Sequence, residues 1–88
     1  MDFKHTCHLD ENYIKDFYLK VGKNVARIRK EKNLTQLELS YLLGYKSTSL
    51  VAGSEICYKN YHFNLEHLAK IAYSLDVNIN EFFKDIEN

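Results

Sequence analysis

The sequence contains no proline, three glycines, two cysteines and one methionine in its 88 residues. Each scarcity removes a class of protein. No Pro/Gly-rich linker, internal repeat or low-complexity stretch divides the chain, so a single domain is expected, burying roughly 60 to 70% of the surface its unfolded form exposes. Three glycines leave little material for a phosphate-cradling loop, and no nucleophile elbow or pair of helix-borne metal ligands occurs. The chain is therefore read as a non-enzyme without a cofactor. Cys7 and Cys57 form at most one bridge, unlike the dense framework of small secreted domains, so reduced thiols are expected. Together with His8, His62 and His67 they have ligand chemistry suited to zinc, but their spacing fits no compact finger or ribbon, and no metal is assigned. Apolar runs fall short of the roughly 18 to 20 residues of a membrane span, and no signal-peptide pattern opens the chain. A cytoplasmic protein without membrane contact is the expectation.

Net charge is missing too, with 12 basic against 12 acidic residues. That balance hides a segregation. Residues 1–19 carry two lysines against Asp2, Asp10, Glu11 and Asp16, and residues 63–88 carry Lys70 and Lys84 against five acids. Between them, residues 20–62 hold eight basic residues against Glu31, Glu38 and Glu55. Half of all Lys and Arg fall in residues 20–32, as Lys20, Lys23, Arg27, Arg29, Lys30 and Lys32. A basic middle between acidic ends presents either one positive face or merely a solvated helix side.

Helical periodicity dominates from about residue 10. Asp10 and Glu11 suit a helix N-terminus, where acids complement the macrodipole, and Tyr13, Ile14, Phe17, Tyr18 and Val21 follow at helical spacing. This is one helix reaching Lys32, or two pieces hinged near Gly22. Val21, Val25 and Ile28 share one face, Lys23, Arg27 and Lys30 another, and Asn33 stands where a left-handed residue stops a helix. Thr35 with Glu38 predicts a capping box opening a second helix, with Leu39, Leu42 and Leu43 inward and Gly44 ending it. Residues 46–55 hold good caps in Ser47, Thr48 and Ser49 but are short and weakly helical. Residues 56–63 read as an irregular loop. Asn64 caps a further helix with Leu65, Leu68, Ile71, Ala72 and Leu75 on one face, and Asn80 caps a short last one from which Phe82 and Phe83 dock.

Two helices joined by a tight turn, behind a basic helix, put one short helix where it can enter a major groove. Residues 25–44 (VARIRKEKNLTQLELSYLLG) and 65–83 (LEHLAKIAYSLDVNINEFF) resemble the Cro/C1 phage-repressor-like helix-turn-helix regulators. The resemblance implies an all-α, five-helix lambda-repressor-like domain over residues 20–88, with residues 1–19 as an extension that is helical from about 10. It also implies a homodimeric, sequence-specific regulator, a repressor, acting on a two-fold symmetric operator in double-stranded DNA. Gln36 matches a phosphate-binding position. Arg29 matches an arginine that usually pairs with a glutamate closing the recognition helix, here Glu55, although Glu55 lies one residue further from Gly44 than usual.

The recognition helix departs from the family pattern. Leu50 and Gly53 occupy the two positions that normally reach the core, so either the second contact is lost or the register shifts to Val51. The following loop is also longer. The groove-facing set is Lys46, Ser47, Thr48, Ser49 and Ala52, which has no side chain for a bidentate base contact. Lys23, Arg27 and Lys59 are the other DNA-contact candidates, with Tyr58 and Asn60 beside Lys59 in the loop. Dimerisation is assigned to Phe82, Phe83 and Ile86, with the aromatic N-terminal segment (Phe3, Tyr13, Ile14, Phe17, Tyr18) either a rival seam or a helix packed on its own domain. No small-molecule ligand is expected. The alternatives are a helix-turn-helix fold used to bind a protein partner, and an antitoxin that covers its toxin with residues 1–19.

Overall fold

The computed structural model describes Cys7 and residues 9–86, and among these the only regular structure is helical. Phe3 and His8, named above, lie outside the described residues. The fold is all-α: α1 (Glu11–Glu31), α2 (Gln36–Leu42), α3 (Ser49–Ile56) and α4 (Leu65–Leu75), with 3-10 turns at Tyr58–Asn60 and Ile79–Phe83.

α1 starts where Asp10 accepts the Tyr13 N–H at 2.8 Å, carries Glu11 in its first turn and Arg29 and Lys30 in its last, and ends at left-handed Asn33. It is one helix through Gly22. That glycine serves a close helix crossing, since a Cβ there would lie 2.6 Å from the Ser54 carbonyl oxygen and 2.7 Å from that of Glu55. α2 has a full capping box, with Thr35 Oγ1 accepting the Glu38 N–H at 3.0 Å and the Glu38 carboxylate accepting the Thr35 N–H at 2.8 Å. It leaves through Gly44 at φ 89°, with the Tyr45 N–H donating to Ser40 O at 2.9 Å. α4 repeats the entry device: Asn64 accepts from the His67 N–H, and His67 Nδ1 accepts from the Asn64 N–H.

Val21, Val25, Ile28, Leu39, Leu43, Val51, Phe63, Leu68, Ile71, Leu75 and Phe82 form the core. Two leucines expected inside it are not. Leu42 is 52% exposed and Leu65 75% exposed. At about 100° per residue, Leu39 and Leu43 suffice to line the narrow inner stripe of α2, while Leu65 points roughly 90° away from the centre of the Leu68–Ile71–Leu75 face.

The closing element also differs from the sequence reading. It is a 3-10 turn rather than a fifth α-helix, and its cap is Asn78, whose side chain accepts the Asn80 N–H at 2.8 Å, not Asn80 itself. Phe82 is fully buried within its own chain, so it has no surface to give a dimer partner. Asn24 on α1 holds this end in place by donating to Phe82 O at 3.0 Å and Lys84 O at 2.8 Å. Phe83 and Ile86 are half-buried against the core.

The N-terminal half of α1 packs on its own domain. Phe17 meets Phe83 with ring centroids 6.5 Å apart, and Tyr18 stacks on His62 at 4.0 Å. His62 belongs to the loop after α3, so that loop and the N-terminal half of α1 support each other.

Candidate nucleic-acid interface

α2 and α3 are joined by residues 43–48 and locked by a buried polar cluster. Arg29 Nε donates to Glu55 Oε2 at 2.7 Å and Nη2 to Oε1 at 3.2 Å, while Nη1 donates to Leu34 O at 2.8 Å. Gln36 Nε2 adds a bond to Glu55 Oε1 at 2.9 Å. The end of α1, the start of α2 and the end of α3 therefore meet at one carboxylate. With both charges buried and paired in bidentate geometry, the guanidinium of Arg29 is committed to the fold and not presented to a ligand.

This closure depends on the register of α3. Val51 is fully buried and Leu50 only half-buried. The shift by one puts Val51 in the core and, four residues on, Glu55 beside Arg29.

The remaining candidate residues fall into three groups. Lys23, Arg27 and Gln36 line one shallow concavity between α1, α2 and the end of α3, which Lys30 and Ile56 also line. Arg27 is drawn to acids there, with Nη1 3.1 Å from Glu31 and Nη2 3.9 Å from Glu81. Lys23 is exposed. Lys46, Ser47 and Ser49 are exposed in the turn and first residue of α3, with Thr48 and Ala52 half-buried. Thr48 precedes α3 without a side-chain cap bond. Lys59 stands apart, in the loop after α3, at left-handed φ 47° with its ammonium 5.4 Å from the centre of the Tyr58 ring. It borders a groove of about 710 Å³ between that loop and the N-terminal half of α1.

The sequence places Lys30 on one face with Lys23 and Arg27 without marking it as a contact, and it gives no sign of Ile56. Lys30 is seven residues after Lys23, hence on the same side of α1 two turns on. Ile56 reads from the sequence as the first loop residue, but it is the last residue of α3 and is 67% exposed. Adopting the Val51 register would have revealed it, because the outer face then runs through Ser49, Ala52 and Ile56.

A second polar connection supports the turn into α3. His67 at the start of α4 accepts the Asn64 N–H on Nδ1 at 3.0 Å, and its Nε2 lies 3.3 Å from the Tyr45 hydroxyl. The Nδ1 contact requires a neutral ring with its proton on Nε2. Burial pushes the His67 pKa down, opposed by the charge of Glu66 and assisted by Lys70 and His62. Among the described residues no group of three or more His, Cys, Asp or Glu is placed to hold a metal ion, and no helix is long and apolar enough to cross a membrane.

No protein-family model and no curated protein matches the sequence. Among solved structures, the chain is similar to the restriction-modification controller protein C.AhdI from Aeromonas hydrophila, at 32% identity and a TM-score of 0.64. The match covers 75% of this chain and 96% of the controller protein. With that identity spread over nearly the whole of the relative, on an all-helical frame locked at Arg29 and Glu55, the chain belongs to the Cro/C1-type helix-turn-helix regulators.

Proposed function

We propose that the protein is a cytoplasmic, sequence-specific DNA-binding regulator that acts as a homodimer on a two-fold symmetric operator and represses transcription. The observation carrying this reading is the latch of Arg29, Gln36 and Glu55, which ties α3 to α1 and α2 while leaving Ser49 and Ile56 exposed and Ala52 half-buried between them on its outer side. Lys46, Ser47, Thr48 and Ser49 then enter the major groove with Ala52. Lys23 and Lys59 meet phosphates, Gln36 adds the second N–H of the amide that already donates to Glu55, and Arg27 is a weaker contributor because Glu31 already holds it. Phe83 and Ile86, joined by exposed Ile79, supply the dimer seam in place of Phe82. A two-fold axis there would set two α3 helices roughly 34 Å apart, one turn of DNA. The similarity to a restriction-modification controller supports an operon of that kind as the regulated one.

Selection of binding sites from random duplex DNA tests this reading, followed by titration of the best site against salt. A palindromic site bound far above random DNA is expected. If about four phosphates are neutralised, log K falls against log salt with a slope of about −3.6. Failure to enrich any site would sink the proposal and favour a protein-binding role for the fold.

A further inference from the structure

The free face of α3 is chemically unusual for a helix that reads DNA. Ser49, Ala52 and Ile56, spaced i, i+3 and i+7, lie within roughly 60° of arc. Every other residue from 51 onward in the helix turns inward: Val51, Ser54 and Glu55 are buried, and Gly53 lies under the Tyr61 ring, where a Cβ would be 2.8 Å from Tyr61 Cδ2. The face therefore offers one hydroxyl and two apolar side chains, without an amide or guanidinium group. Of the two guanidinium groups beside Ile56 in the concavity, that of Arg29 is held by Glu55 and that of Arg27 by Glu31. Ile56 is too exposed to serve the core. It lines the same concavity as Lys23 and Gln36, the side chains assigned above to phosphates.

In the major groove the one apolar group that a base pair presents is the 5-methyl of thymine. We propose that Ala52 and Ile56 read thymine methyl groups, and that Ile56 is a specificity-determining residue for T·A pairs in each half-site. This inference rests on the DNA-binding reading. It adds a chemical identity to the bases under α3: thymines are favoured by their methyls, since the polar edges of A·T and G·C pairs are alike left without a partner by these side chains and only the methyl distinguishes them.

The test uses the full-length protein and the site recovered by selection, remade with each thymine replaced singly by deoxyuridine, which lacks only the methyl. Removing a methyl that becomes buried on binding should weaken affinity about fourfold. We expect that loss at one or more positions per half-site. In Ile56→Ala, whose exposed position leaves the fold intact, the loss should vanish at one of these positions and persist at any contacted by Ala52. A penalty due to DNA shape alone would be the same in both proteins, which would overturn the assignment of Ile56 and return it to the groove it also lines with Ile14 and Tyr61. Equal binding of every uridine-substituted site, with specific binding retained, would overturn methyl readout and leave the DNA-binding reading standing. Absence of specific binding to any DNA would overturn both.

Discussion

α2 and α3 have seven and eight residues, yet they are specified in opposite ways. α2 has local instructions at both ends: a reciprocal capping box at Thr35 and Glu38, and a glycine exit at Gly44. α3 has neither. Thr48 makes no side-chain cap bond, and the helix leaves through Cys57 in the left-handed region, where a non-glycine residue is strained. What forms α3 is tertiary: Val51 in the core, backbone carbonyls against Gly22, and Glu55 on Arg29. The neighbouring elements supply what is missing.

The largest test of that contrast is Arg29→Ala. It leaves Glu55 buried without its cation, and the expected loss is about 3–5 kcal/mol of stability in urea unfolding. Amide exchange should show α3 losing more protection than α2. Equal losses in both helices would mean that α3 is not held chiefly by the latch. Gly22→Ala comes next. The added Cβ meets two backbone oxygens, which cannot rotate aside, so α1 and α3 must separate at a cost of roughly 1–3 kcal/mol. A neutral result would show that the crossing is looser than its 2.6 Å approach implies.

The two helix entries provide a smaller, paired comparison. Thr35→Ala removes a cap bond and should cost about 1 kcal/mol, whereas Thr48→Ala removes none and should shift the thermal midpoint little. Similar effects at both positions would contradict the asymmetry.

The same contrast explains what was legible in the sequence. Local signals identified α2 and α4 because Thr35–Glu38 and Asn64 act within their own first turns. The starts of α1 and the stop at Asn33 were legible for the same reason. Leu42 and Leu65 were misplaced because apolar spacing marks a stripe without saying how wide a partner covers it. The sequence leaves the register of α3 open between Leu50 and Val51, since it is decided by where Arg29 and the core lie in space. Phe82 was legible as a docking residue, but not that its own domain would enclose it completely. At the candidate interface, the outward placement of Ile56 is not legible because it depends on that same register.

Protonation of His67 is expected to have the smallest effect, because the charge of Glu66 offsets part of the burial that lowers its pKa. The folded state binds this proton less readily than the unfolded chain, whose ring titrates near 6.5. In the window just below 6.5 the unfolded state therefore carries more protons, and stability must fall as pH falls. The structural reason lies at Nδ1, which accepts the Asn64 N–H only while unprotonated. Acidification breaks that bond and puts a positive charge at the N-terminus of α4, where the helix dipole opposes it. Since His67 also meets Tyr45 in the turn before α3, protection of the α3 amides should decline before that of α2, whose caps do not depend on a histidine. His67→Gln keeps a capping-box acceptor without a titrating ring, so its stability should be flatter across the same window. An equally steep pH profile in that variant would place the acid sensitivity elsewhere and remove His67 from the supports of α3.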